Sequence, residues 1–173
     1  LCFRLIALHQ PAAVDLRMIV SVLKMNADLE RVGDLAVSIG KAGRRYIRHP
    51  PVKPLLDLPR MGELALRMLR ESIEALVTTD VAMAKSVLMK DEWLDALKDQ
   101  IFREVLTYML GDPRTVEPGV ELILISRHLE RVGDHATNVA EDVIFIVEAR
   151  DVRHRSSNLA IVERRQVRGI SPV

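Results

Sequence analysis

The sequence predicts an all-α protein built as tandem three-helix bundles, the first of them incomplete. Three observations lead there. Apolar residues make up 49% of the 173 residues but aromatics only 3%, so Leu, Val, Ile, Ala and Met carry the core, whereas sandwiches and barrels draw on aromatic and β-branched strands. Pro and Gly gather at 49–59 (HPPVKPLLDLP) and 111–119 (GDPRTVEPG), with Pro11 a separate mark. Between these breaks lie long stretches of helical periodicity without interior Pro, and no segment alternates with period two. The third observation is a repeat: Leu29-Glu30-Arg31-Val32-Gly33-Asp34 returns letter for letter as Leu129-Glu130-Arg131-Val132-Gly133-Asp134, and Ala36 matches Ala136.

Taken in order, 1–9 reads as the end of a helix entered in mid-element, since the chain opens at Leu1. The first full helix is expected over 11–47, where Val22, Met25, Leu29, Val32, Ala36 and Ile39 form a heptad seam. Beyond the proline cluster a helix is expected over 58–79. Thr78, Thr79 and Asp80 then offer a cap before the next, over 81–110. The last helix, over 116–149, carries the longer seam of Leu122, Ile125, Leu129, Val132, Ala136, Val139, Val143 and Ile146. Seams of this kind joined by short connections pack as left-handed antiparallel bundles. Residues 1–50 are thus the C-terminal part of a first three-helix repeat, 55–150 a second repeat, and 151–173 a basic tail expected to be disordered. With the opening helices of the first repeat absent, its seam is left partly uncovered, which predicts self-association.

Charge and cysteine content narrow the function classes. From Arg150 onward six arginines stand against Asp151 and Glu163, a net of +4, which leaves −3 for everything before within an overall +1. A mildly acidic body with a basic tail does not suit a nucleic-acid binder, whose cations should line one folded face. One cysteine, Cys2, rules out an internal disulfide and points to a reducing, cytoplasmic compartment. No apolar run approaches the roughly 18 residues of a membrane helix.

Chemistry concentrates in three acidic pairs, each four residues apart and so on one helix face: Glu30 with Asp34, Asp91 with Asp95, and Glu130 with Asp134. Like charges at that spacing cost a few tenths of a kcal/mol. The seam assigns Glu30 and Asp34 to solvent-side positions, so packing does not require them. Pairs on adjacent helices would crowd four carboxylates at one spot, a donor set suited to hard cations such as Mg, Mn, Ca or oxygen-bridged iron; zinc would normally expect His or Cys. The plainer alternative has Arg31 and Arg131 neutralise these acids as solvated helix-face links. Gly33 and Gly133, each costing about 1 kcal/mol relative to Ala in a helix, mark close approach of a neighbour. His128 and His135 flank the second motif, but Asp28 and Leu35 hold their places in the first, so both histidines are expected at the surface. The methionines fall mostly among the apolar stripes and are expected as core filler, and Trp93 is expected in the core, with an interface anchor beside the acidic pair as the alternative. The ferritin-like spacing of Glu with His three residues on is missing, as are phosphate loops, nucleophile elbows and HExxH, so no enzyme is expected.

Two copies of LERVGD, each on the last helix of a three-helix unit, resemble the PhoU family of phosphate-signalling proteins. The run Gln10-Pro11-Ala12-Ala13-Val14-Asp15-Leu16-Arg17 and, after the second motif, His135-Ala136-Thr137-Asn138 with Glu141 fit the same family, over about residues 1–155. The resemblance implies a cytoplasmic adaptor that represses phosphate uptake and phosphate-starvation signalling. Its implied partners are the ATPase subunit of a phosphate ABC transporter and a sensor histidine kinase, with membrane association only through them, and a homodimer is expected. It also implies surface-bound metal, iron or Mg, Mn or Zn, on Glu30 with Asp34, Asp91 with Asp95, and Glu130 with Asp134. The alternatives are a carboxylate-based metal-storage bundle and a purely structural helical scaffold.

Overall fold

Among the described residues there are five helices: α1 (Cys2–His9), α2 (Ala13–Tyr46), α3 (Asp57–Thr78), α4 (Val81–Gly111) and α5 (Val116–Glu148), with a 3-10 turn at Pro113–Thr115. The computed structural model describes residues 1–150 and Val152; the tail expected at 151–173 otherwise lies outside the described residues. No strand occurs among them, and no described helix is long and apolar enough to cross a membrane.

The boundaries follow local chemistry. Gln10 turns left-handed (φ 44°) and its N–H donates to the Ile6 carbonyl, closing α1 just before Pro11. Thr79 does the same for α3 at φ 54°. Asp80 then caps α4, its carboxylate accepting the Met83 N–H at 2.9 Å and so satisfying one of the donors a helix start leaves open.

Helix α5 is the axis of the molecule: α2, α3 and α4 all pack on it, α3 and α4 also pack on each other, and α1 meets α2. Its seam is buried as the spacing predicts, at Leu122, Ile125, Val132, Ala136, Val139, Val143 and Ile146. They meet a core that includes Met61, Ala65 and Met68 of α3 and Val87, Leu94, Ile101 and Val105 of α4. Each fully buried large aliphatic side chain is worth about 1.5–3 kcal/mol, so this seam is the main source of stability.

The first seam needs correction. Met25 is buried, but Val22 (37%) and Leu29 (41%) are exposed, as is Ala36. Apart from α1, α5 is the one helix packed on α2, so one edge of the predicted stripe is covered; Ser21, Leu35, Ala42 and Tyr46, on that edge, are buried with Met25. The two helices run antiparallel. Arg17 Nε donates to the Ile146 carbonyl at 3.1 Å near one end, and Arg45 binds Glu121 through two bonds of 2.6 and 2.7 Å near the other.

The two motif glycines also part company. A Cβ on Gly133 would lie 2.2 Å from Leu94 Cδ2 and 3.5 Å from Met68 Cε, the close approach that a mid-helix glycine predicts; one on Gly33 would meet nothing within 4 Å. Trp93 is 67% exposed, against expectation, because its neighbour Leu94 takes the inward position on that turn. Met25, Met61 and Met68 are core residues as expected, whereas Met89 is 74% exposed.

Candidate functional site

Leu94 and Gly133 do more than fill space. Leu94 stands between Asp91 and Asp95 on α4, and Gly133 between Glu130 and Asp134 on α5. Seating the leucine against the glycine brings the second and third acidic pairs to one place. Asp91 is pushed up to about 6, first by burial and then by repulsion from Asp95, Asp134, Glu130 and Glu92. Asp134 is raised too, by burial and by Glu130 and Asp95, with His135 and Lys98 pulling the other way. Four carboxylates therefore share one field, which concentrates uncompensated negative charge.

The compensating cation is Lys98, which sequence reasoning missed. Its Nζ donates at 3.1 Å to both Asp95 Oδ1 and Glu130 Oε1, bridging α4 and α5, with Asp99 Oδ1 at 3.8 Å. Burial alone would lower the ammonium, but the bonds to Glu130 and Asp95 outweigh it and the group is raised. Lys98 lies three residues after Asp95, a spacing that could have flagged it. Neither Arg31 nor Arg131 forms an ion pair with these acids among the described residues; Lys98 instead pairs with Asp95 on its own helix and with Glu130 across on α5.

As the side chains lie, no three His, Cys, Asp or Glu among the described residues are gathered tightly enough to hold a metal ion. The donor chemistry of Asp91, Asp95, Glu130 and Asp134 nonetheless fits a hard cation, which would relieve the repulsion that Lys98 now relieves in part. Beside the cluster, Lys98, Phe102, Ile123, Arg127 and Glu130 line an open cavity of about 360 Å³. Glu30 and Asp34 stand apart on the exposed face of α2, and neither is among the groups that shift Asp91 or Asp134.

The expectation of surface histidines is overturned. His135 is 7% exposed, and its Nδ1 lies 2.8 Å from Asp28 Oδ1, which also accepts from Asn138 Nδ2 at 3.2 Å. The contact joins the two motif helices and uses positions where the repeats differ, Asp28 against His128 and Leu35 against His135. In the same antiparallel register Leu35 stands level with His128, and His128 Nδ1 is buried without a hydrogen-bond partner. A leucine offers it no acceptor. Comparing the repeats for their differences as well as their matches would have pointed to this pair.

The family model described as PhoU domain matches residues 1–42 and 58–143. A Caulobacter vibrioides relative named phosphate-specific transport system accessory protein PhoU homolog is 41% identical over 163 residues, covering 94% of this chain and 71% of the relative. A protein of the same name from Aquifex aeolicus is 41% identical, covering 89% and 70%. Among solved structures, PhoU from Pseudomonas aeruginosa superposes with a TM-score of 0.83 at 35% identity, over 86% of this chain and 72% of that one. The phosphate transport system regulatory protein PhoU from Streptococcus pneumoniae gives 0.77 at 30% identity, over 87% and 70%.

Proposed function

Since the chain belongs to the PhoU domain family, we propose that it is a cytoplasmic accessory protein of phosphate transport. It acts as a negative regulator that couples a phosphate ABC transporter to the sensor kinase of the phosphate-starvation response. The observation that carries this reading is the 41% identity, over 94% of the chain, to a phosphate-specific transport system accessory protein. In this role the chain is an adaptor, working by contact. A long helix flanked by acidic faces supplies docking surface and needs no reacting group, and no enzymatic step is assigned to it.

The carboxylates of Asp91, Asp95, Glu130 and Asp134 are the proposed metal-binding part of that surface, with Glu30 and Asp34 as a separate, weaker pair. A bound hard cation would supply positive charge at the α4–α5 face and could bridge to acidic groups on a partner. Lys98 holds Asp95 and Glu130 together in the meantime. Metal and lysine therefore compete for the same carboxylates.

The test is a titration of the full chain against the transporter's ATPase subunit and, separately, the kinase's cytoplasmic region, in matched samples with and without chelator. Binding to either partner is expected, weakened by chelator and by Glu130→Gln with Asp134→Asn. Binding that ignores both treatments would remove the carboxylates from the docking role. Absence of binding to either partner would overturn the adaptor reading in favour of a metal-storage bundle or a helical scaffold.

A further inference from the structure

The end of the bundle that carries the α2–α3 and α4–α5 connections lies roughly 24 Å along α4 from Asp95, at about 1.5 Å per residue, and its charges follow a different logic. Ion pairs there cancel one another: Arg45 with Glu121, Lys53 with Glu104, Arg114 with Asp112 and Arg60 with Asp57, while His49 lies beside Glu117. Three cations, two on the last turns of α2 and one in the turn just past it, are left over. Lys41, Arg44 and Arg48 are exposed and have no ion-pair partner among the described residues. Lys41 and Arg44, three apart, share one face of α2, and Arg48 follows in the turn that closes the helix. Next to them Ile47 is 75% exposed, and at the same end Leu56 and Leu110 are 70% and 79% exposed.

We infer that this end docks directly on a bilayer rich in anionic phospholipid, the cations meeting headgroups and the three aliphatic side chains entering the interface. Unpaired basic residues beside projecting apolar ones are what an anionic membrane surface selects, each cation adding to the attraction. The three apolar residues project from a helix end and from connections, which suits a plane. The concave site at this end, of about 560 Å³ between Pro50, Pro51 and Tyr108, offers less to an acidic peptide, because its one cation, Arg114, is already bound by Asp112. The surface does not depend on the transporter or kinase, so the inference stands apart from the adaptor reading.

Sedimentation of the full chain with phosphatidylcholine vesicles, with and without phosphatidylglycerol, tests it. Binding is expected on the anionic vesicles alone and should fall with salt. Arg44→Gln with Arg48→Gln should reduce it about thirtyfold, as expected for two basic residues near an anionic surface, and Ile47→Ser should weaken it without altering the salt dependence. Far-UV circular dichroism of each variant checks that α2 is intact. Inorganic phosphate should weaken binding no more than chloride at the same ionic strength. The inference is overturned by equal binding to neutral vesicles, by no binding to anionic ones, or by displacement with inorganic phosphate beyond that caused by chloride at the same ionic strength. It is equally overturned by loss of binding with Arg164→Gln and Arg165→Gln while the α2 variants still bind.

Discussion

Asp91 shows how one side chain reports the state of the whole carboxylate cluster. Its ordinary value of 3.8 is raised to about 6 in the fold, by burial and then by its acidic neighbours. The folded chain therefore holds a proton there that the unfolded chain has released. That contribution is complete below about pH 4 and is lost as pH rises through the window between the two values, so the penalty of ionising the group in the fold is complete above about pH 6. Asp91→Asn should remove the penalty. Near pH 7 in chelator the variant should be more stable by about 1–2 kcal/mol, discounted for partial solvent exposure. The advantage should vanish near pH 4 and turn into a loss when Mn²⁺ replaces chelator, because the amide is a poorer ligand. Thermal melts across that pH range, with each additive, check all three. The position of Asp91 in an i, i+4 pair was legible in the sequence. Its burial was not, since that depends on how near α5 comes.

That nearness is set by an element-scale device, the leucine of α4 seated on the glycine of α5. The spacing that places Gly133 in a helix reads directly from the sequence, as does the expectation of a close neighbour. Which residue comes close does not, because Leu94 is one apolar residue among many on α4. Gly33 occupies the same place in an identical hexapeptide and has open space around it. The same substitution should then give opposite signs. Gly33→Ala should stabilise by about 1 kcal/mol, the ordinary helix-propensity gain. Gly133→Ala forces a Cβ against buried Leu94 and should cost about 1–3 kcal/mol through overpacking. It should also spread the acidic pairs, so that metal binding measured by calorimetry weakens for Gly133→Ala and is unchanged for Gly33→Ala. Equal stability changes in the two variants would mean that the two repeats are packed alike.

At the scale of the molecule, helix number, order and boundaries were legible because Pro, Gly and caps punctuate uninterrupted apolar periodicity. The face of α2 that became core was not, because a heptad stripe is wider than the single contact line one neighbour can cover. Asp28 and His135 were hidden for a related reason: burial of a polar residue is a property of the pair, and neither position shows it alone. The uncovered edge of the stripe has a consequence for assembly. Val22, Leu29 and Val37 are 37%, 41% and 56% exposed along α2, with Ala36 beside them, while Leu122 and Ala136, the α5 counterparts of Val22 and Ala36, are buried. Two chains can each cover the other's apolar edge through one isologous contact, as a homodimer. Sedimentation velocity over a concentration series should therefore show reversible dimers. Leu29→Ser with Val37→Ser should shift them to monomer without lowering the melting temperature of the dilute protein, since neither side chain belongs to the core. A concentration-independent monomer for the unaltered chain would leave α2 with an apolar edge that a second copy does not cover.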